Sequence, residues 1–478
     1  MSTFSGLNTA YTGLVAARQG LNVVGQNIAN ANTEGYTRQR VGISSTGPVA
    51  QTGLFSGSVR AGQGVAVDSI ARLGDLHLDA RVRSSAAAAG YASVRSETLS
   101  ALEDILQEPG ENGISAKLQQ FWAGWQDVAN QPGEPAPAGV LLEQTAVFTA
   151  QLAHGYSEIE SRWTEVRADA DAMAADLNGA AAQVADLNAR IRTTLAAGGS
   201  VNELLDKRST LTAGIAALAG GTVRQNTDGT VDVLIGGNAL VSGDSFRPTQ
   251  VSGARKMDDG TVQLEWSGPS AGPITLDGGK LAGVFSVLAP AGNGNGGAVA
   301  EAAARFNDFA LQLAAQVNDL HSQGAAADGS TGHDFFAVGD PQRAAATLSV
   351  VPRSAAEIAA GKPGAGTLDG SVADRIAQIG TARTSHLDPA AGSPDTLWSG
   401  VVTGFGVAAR AARQSASLTG LANISAVNQQ LANASVDLDE ENVNLLSFQH
   451  AYQGAARVMT AVDEMLDTLI NRTGLVGR

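Results

Sequence analysis

The sequence predicts a mainly α-helical chain with a β-rich insertion, elongated, with N- and C-terminal helices pairing as a coiled-coil-like inner domain, a long central helix bundle and an outer β domain. Three observations carry this. Apolar residues recur every seventh position near both chain ends. A Pro-free stretch of helical spacing runs through the middle for about 50 residues, some 75 Å of helix. The spacing turns from helical to alternating near residue 219 and returns to helical near residue 298.

With 478 residues the chain is too long for one ordinary core, and several domains are expected. Aromatic residues make up only 5% while Ala and Gly are abundant, which favours close helix packing over cores built on large rings. A net charge of -15 with no run of Lys or Arg gives no footprint for nucleic acid. The 0 Cys exclude disulfides, cysteine nucleophiles and thiolate metal sites. Residues 1–20 lack a basic stretch followed by an apolar one, so no conventional signal peptide is expected. No apolar run is long enough to imply membrane insertion.

In the first segment Leu7, Leu14, Leu21 and Ile28 recur every seventh residue, and Ala10, Ala17, Val24 and Ala31 follow three positions later, as on a helix with one apolar seam. The helix is expected to stop between Asn27 and Tyr36. There Asn30, Asn32 and Thr33 offer side-chain bonds to nearby backbone, and Gly35 permits a positive φ. Residues 36–74 read as extended, with short strands. Helical spacing returns from Leu76 to Leu106, then through the Trp122 and Trp125 segment, then in the long helix from Val140 to Leu195, and again from Val201 to Leu218.

Thr222 to Gln225, Thr230 to Ile235 and Val262 to Trp266 alternate as strands between turns such as Asp228-Gly229. Helix resumes from Val299 to His321 and from Leu397 to Ala434. The last helix has the clearest spacing: Leu445, Tyr452, Met459 and Leu466 form one heptad series, and Phe448, Ala455, Val462 and Leu469 another. Ser435 or Asp437 is placed to cap it. The expected organisation is therefore residues 1–35 plus 435–478 as an inner terminal-helix domain. Residues 36–218, 298–323 and 397–434 form an extended linker and long-helix domain, residues 219–297 the outer β-rich domain, and 324–396 a loop-rich segment left unassigned.

The one cluster suggestive of chemistry is Asp319, His321, Asp328, His333 and Asp334. Its spacing fits neither a zinc helix motif nor a calcium loop, and it reads as a polar loop. No catalytic, cofactor-binding or metal-ligating residue is assigned.

Asn22-Val23-Val24-Gly25-Gln26-Asn27-Ile28-Ala29-Asn30-Ala31-Asn32-Thr33-Glu34-Gly35-Tyr36-Thr37-Arg38 resembles the N-terminal signature shared by flagellar rod, hook and hook-associated proteins. From Val436 to Gln453, the Asp439-Glu440-Glu441, Asn444-Leu445 and Phe448-Gln449 elements are similar to the C-terminal signature of the hook-associated protein 1 family. Gly62-Gln63-Gly64-Val65 and Gly332-His333-Asp334-Phe335-Phe336 agree with it. The resemblance implies a non-enzymatic structural subunit of the bacterial flagellum, exported through the flagellar type III apparatus, transiently cytoplasmic and then extracellular at the hook–filament junction. It implies self-association in a ring, contact with the hook protein and with hook-associated protein 3, and a cytoplasmic export chaperone at the C-terminal helix. No nucleic-acid partner is implied.

Leu7, Leu14, Leu21, Val24 and Ile28, with Leu445, Phe448, Tyr452, Met459, Val462, Leu466 and Leu469, are the expected assembly interface. Part of each seam is expected to be an intrachain contact between the two helices. Asn27, Asn30, Asn32, Thr33, Gly35 and Tyr36 are the signature turn. The alternatives are another axial protein (hook protein, distal rod protein or hook-associated protein 3) and a glycan-cleaving enzyme on an axial scaffold, which would need paired carboxylates facing a cleft.

Overall fold

The computed structural model describes residues 3–47, 62–268 and 272–472. The expected extended reading of 36–74 therefore falls partly outside the described residues, as does the end of the inner domain beyond Arg472.

Helix α1 (Thr3–Ala29) leads through a turn to an antiparallel ribbon of β1 (Gln39–Ser45) and β2 (Val65–Arg72). Asp75 then caps α2 (Leu76–Leu106) by accepting from the amides of His77 and Leu78. Helix α3 (Ile114–Asn130) precedes α4 (Pro135–Ala196), which has 62 residues and is about 93 Å long at 1.5 Å per residue. Its start lies earlier than the sequence reading placed it. Pro135 occupies the first helical turn, where no intrahelical N–H bond is lost. Helix α5 (Asn202–Ala219) folds back along α4.

Two antiparallel sheets follow. β3 (Thr222–Gln225), β4 (Val231–Ile235), β5 (Asn238–Ser242) and β6 (Ser245–Phe246) form one; β7 (Thr249–Gly253), β8 (Val262–Trp266) and β9 (Pro273–Ile274) form the other. The strands end at Ile274, so the stretch 219–297 is not all β. Gly279–Leu288 is helix α6, packed on α2 and α5. Nor do the sheets have a core of their own. Val233, Leu240 and Leu264 belong to the same apolar cluster as Leu177 and Val184 of α4. Asn178 of α4 donates to the Thr249 carbonyl (2.7 Å) and Asn188 to that of Val231 (2.8 Å), closing strand backbone groups onto the helix.

After α7 (Ala298–His321) comes the segment that sequence reading left as loop. It holds short elements in two small ribbons: β10 (Ala325–Ala326), β11 (Phe336–Val338), α8 (Ala344–Thr347), β12 (Leu348–Val350), β13 (Ala359–Gly361) and α9 (Ser371–Ile379). The strands and α8 are too short to leave a periodic signal, whereas α9 carries one, with Val372, Ala373, Ile376, Ala377 and Ile379 on a single buried face, that the sequence reading does not use. Tertiary packing holds them: Phe335 and Phe336 lie against Phe121 of α3, and Phe335 lies against Trp125. Helix α10 (Pro394–Ala434) runs antiparallel to α2, with Arg413 paired to Glu103 and Gln429 bonded to Arg81. The final helix α11 (Leu438–Asp467) is capped by Asp437, which accepts from the amides of Asp439 and Glu440. The chain is thus mainly helical, with long helices at both ends.

Candidate assembly surface and its joint

α1 and α11 pair antiparallel along one seam. Gly6 faces Val462, Gly13 faces Ala455 and Gly20 faces Phe448, while Asn27 donates to Glu441. Each pair lies seven residues from the next on both helices, so one register holds along the whole seam. A Cβ on Gly20 would lie 2.5 Å from two ring carbons of Phe448. The phenyl ring fills space that any side chain at position 20 would occupy. Ala10, Ala17 and Val24 lie between these positions and are buried. α1 therefore supplies small residues to the seam and α11 supplies the larger ones.

This changes which face α1 turns inward. Sequence reading put Leu7, Leu14, Leu21 and Ile28 on the seam, but each is only half-buried. Their positions are one residue past Gly6, Gly13, Gly20 and Asn27, about 100° around the helix. The glycines win the seam because they let the two backbones approach, leaving the leucines on the flank. Val24 is buried, and so is Val462, which packs on α1 across Gly6. Phe448 sits over Gly20 with its outer surface half-open, and Leu445, Met459 and Leu466 are half-buried. Tyr452 and Leu469 are exposed, with Tyr11, Val15, Val443, Leu446, Val458 and Met465.

At the base of the hairpin a polar joint ties it to the rest of the chain. Asn27, 1% exposed, donates from Nδ2 to the Gln39 carbonyl (2.9 Å) and to Glu441 (3.1 Å). Its Oδ1 accepts from the Gln39 amide (3.0 Å) and the Tyr36 hydroxyl (2.8 Å). The side-chain amide offers Gln39 the donor and acceptor that a neighbouring strand would offer. Glu441 is also 1% exposed and accepts from Nε and Nη2 of Arg38, both at 2.8 Å. The buried carboxylate is thereby neutralised by a cation and an amide donor. Arg38 also donates to the exposed Glu440 at 2.8 Å, a bond that raises the guanidinium pKa and lowers that of Glu440.

The joint extends to α5. Asp206 accepts from the Thr37 amide (3.1 Å) and from Arg72 Nε (2.6 Å), and Asn202 donates to Gln39 Oε1 (3.1 Å) and the Ile70 carbonyl (2.9 Å). Burial first, then the charges of Asp206, Glu203 and Glu441, push the Tyr36 hydroxyl up to about 12. The phenol stays protonated and donates to Asn27. Between hairpin and joint, Asn30 Nδ2 donates to the Gln26 carbonyl (3.0 Å) and its Oδ1 accepts from the Thr33 hydroxyl (3.2 Å). Gly35 has φ +76, and a Cβ there would meet Thr210 Oγ1 at 2.5 Å. Asn32 is exposed and stands outside this network.

Of the predicted turn residues, the structure brings Asn27, Asn30, Thr33, Gly35 and Tyr36 into one local network. Sequence reading gives no structural role to Gln39, Asp206 or the seam glycines, and has Arg38 and Glu441 only as parts of the two terminal signatures. The seven-residue recurrence of Gly6, Gly13 and Gly20 was available as a signal. The pairing of Arg38 with Glu441, about four hundred positions apart, was not.

The polar cluster near His321 has a structural use. His321 is fully buried; its Nε2 accepts from the Ala359 amide (3.0 Å), so Nδ1 carries the proton and donates to the His333 carbonyl (2.7 Å). Burial lowers its pKa, in keeping with a neutral ring. Among the described residues no group of three His, Asp or Glu side chains is arranged to hold a metal ion.

Three family models match the chain. That of the flagellar hook-associated protein FlgK helical domain covers residues 99–336, that of the flagella basal body rod protein covers 7–37, and that of the flagellar basal body rod FlgEFG protein C-terminal covers 427–472. The two rod matches coincide with α1 plus its turn and with the end of α10 plus α11. A flagellar hook-associated protein 1 from Bacillus subtilis is 28% identical across 100% of both chains. One from Salmonella typhimurium is 27% identical over 70% of this chain and 60% of its own length. The fold is shared with the flagellar hook junction protein FlgK from Burkholderia pseudomallei, with a TM-score of 0.63 and 15% identity over 73% of this chain and 99% of that one. Matched at both termini, through its helical middle and along the full length of a relative, the chain belongs to the flagellar hook-associated protein 1 family.

Proposed function

We propose that this chain joins hook to filament as a mechanical subunit, polymerising through its terminal hairpin after export through the flagellar type III apparatus. The carrying observation is the division of labour on α1. Its glycines and alanines satisfy the intrachain seam, and Leu7, Leu14, Leu21 and Ile28 are left half-open beside it. Apolar surface exposed in a row along a two-helix hairpin gains roughly 25 cal/mol per Å² when a neighbouring copy covers it. In this reading the joint of Asn27, Arg38 and Glu441 fixes the hairpin relative to the helical body, so that load on the filament passes through a rigid connection. The work is structural and calls for no catalytic residue.

The proposed partners are further copies of the chain in a ring, the hook protein on one side and hook-associated protein 3 on the other, and an export chaperone at α11 in the cytoplasm before secretion. The test is to locate the chain on isolated hook–filament structures and compare Leu14→Ser with Leu21→Ser. Each variant is expected to appear in the culture medium and to be lost from the structures. Incorporation of both at the normal level would refute the role given to the hairpin flank.

A further inference from the structure

We infer that Asn293 and Asn295 are latent deamidation sites, and that Glu301 is the residue that holds both closed. This role is independent of the assembly function proposed above.

The sequence has four Asn-Gly steps, at 112–113, 178–179, 293–294 and 295–296. Glycine after asparagine lets the next backbone nitrogen swing onto the side-chain amide, since no Cβ restricts it. Asn178 is otherwise engaged. Inside α4, its side chain accepts from the Thr249 amide (2.8 Å) and donates to the Thr249 carbonyl (2.7 Å). Asn293 and Asn295 are both exposed, in a stretch, Gly292–Gly297, whose composition is that of a flexible linker.

That stretch is nevertheless a formed loop. Glu301, in the first turn of α7, reaches back and accepts from the amides of Gly292 (2.6 Å), Gly294 (2.9 Å) and Gly296 (2.9 Å). Asn293 and Gly294 have φ of +52 and +94, which turns successive amides toward one centre. Gly296 and Gly297 leave no room for a side chain, because a Cβ on either would run into the carbonyl oxygen of Pro290 or Ala289.

Two of the three bound nitrogens are the ones that deamidation needs. In that reaction the glycine nitrogen gives up its proton to water or hydroxide and attacks Cγ of the preceding Asn. The N–Cγ bond forms, the Cγ–Nδ2 bond breaks, and ammonia leaves, giving a succinimide. Water then opens the ring at either carbonyl, to Asp or isoaspartate. The attacking nitrogen is therefore anionic, and at Gly294 and Gly296 it would be so beside a carboxylate oxygen 2.9 Å away. The negative charge strengthens the bond to the N–H and opposes loss of its proton. One carboxylate serves both sites because its two oxygens divide them, Oε2 on Gly294 and Oε1 on Gly296.

Modification would not leave the loop as it was. Isoaspartate adds an atom to the backbone and a charge beside Glu301, so the three amides could no longer converge on it. The loop sets the start of α7, whose Phe306 and Phe309 pack on Trp398 in the core. Asn112 is the internal reference: it is exposed, and the amide of Gly113 donates to the Gly110 carbonyl (3.0 Å), away from Glu301.

The experiment incubates the full-length chain at mildly alkaline pH beside its Glu301→Gln and Glu301→Ala variants, with a synthetic peptide of residues 288–300 as the unfolded reference. Each Asn-Gly step is followed by peptide mapping with isoaspartate detection. In the wild-type chain Asn293 and Asn295 should react at least about tenfold more slowly than in the peptide, the factor that one hydrogen bond to a charged group is worth. Both variants should lose most of that protection at 293 and 295 and none at 112, with thermal unfolding little changed. Wild-type rates in both variants overturn the inference, as does acceleration that is equally large at 112. A wild-type chain that reacts as fast as the peptide overturns it too, and that comparison decides even if Glu301→Ala fails to fold.

Discussion

Replacing Glu441 by Ala removes the carboxylate at the centre of the joint. The structure sets the magnitude. Breaking a buried ion pair by deleting one partner costs about 3–5 kcal/mol, because the other charge is left uncompensated. Here Arg38 keeps its bond to Glu440 at 2.8 Å, and Asn27 keeps the Gln39 carbonyl at 2.9 Å, so neither partner is stranded. The loss should then fall near 2–3 kcal/mol, equivalent to about 30- to 150-fold in an opening equilibrium. It should be local, since Glu441 touches the hairpin and the ribbon but not α4. Hydrogen exchange resolved by peptide measures it: protection in α1 and α11 drops by that factor while α4 is unchanged. Glu440→Ala serves as the control and should change exchange little, its carboxylate being exposed. A loss of less than threefold in α1 and α11, or an equal loss in α4, would refute the assignment of Glu441 as the pin of the hairpin.

Gly20→Leu should open the seam at Phe448 and cost about 1–3 kcal/mol as overpacking, read as faster exchange in α1 with the body unaffected. Gly454→Ala should do the reverse. A Cβ there meets nothing within 4 Å and the site is inside α11, so the helix should gain roughly 0.5–1 kcal/mol, seen as slower exchange in peptides of α11. The raised pKa of Tyr36, about 12 against the ordinary 10.0, means that the fold prefers the neutral phenol. Its contribution is present below pH 10 and is lost as the pH rises through 12, by roughly 1 kcal/mol once discounted for solvent screening; Tyr36→Phe should abolish this part of the alkaline dependence.

Much of the architecture was legible because its signals are periodic. α2, α5, α7 and α11 have apolar faces repeating every three or four residues, and their observed limits follow that spacing closely. The longest helix starts five residues before the Val140 that its apolar spacing marks, with Pro135 in its first turn, where proline is tolerated. The segment from residue 324 to 396 was illegible for a different reason. Strands of two or three residues, such as β10 and β13, have no period to detect and are held by contacts like Phe335 on Trp125. α1 is the most instructive case. Its leucines formed the louder pattern, but its glycines took the interface, because an antiparallel partner with Phe448 and Val462 needs room opposite. Composition by sevens was readable; which heptad position faced inward depended on the partner helix, more than four hundred residues away. The same distance hid the joint, since nothing near Arg38 announces Glu441.

The pairing register of α1 with α11 is the claim on which the outward flank, the joint and the assembly reading all depend, and disulfide trapping tests it directly. The chain has 0 Cys, so an introduced pair is unambiguous. The Cβ positions of residues 13 and 455 are 3.9 Å apart, within the range of about 3.5–4.5 Å that a disulfide requires. Under mild oxidation Gly13→Cys/Ala455→Cys should close rapidly within one chain, and Gly13→Cys/Val462→Cys, one heptad out of register, should not. Equal closure of the two pairs, or closure of the second alone, would contradict the account.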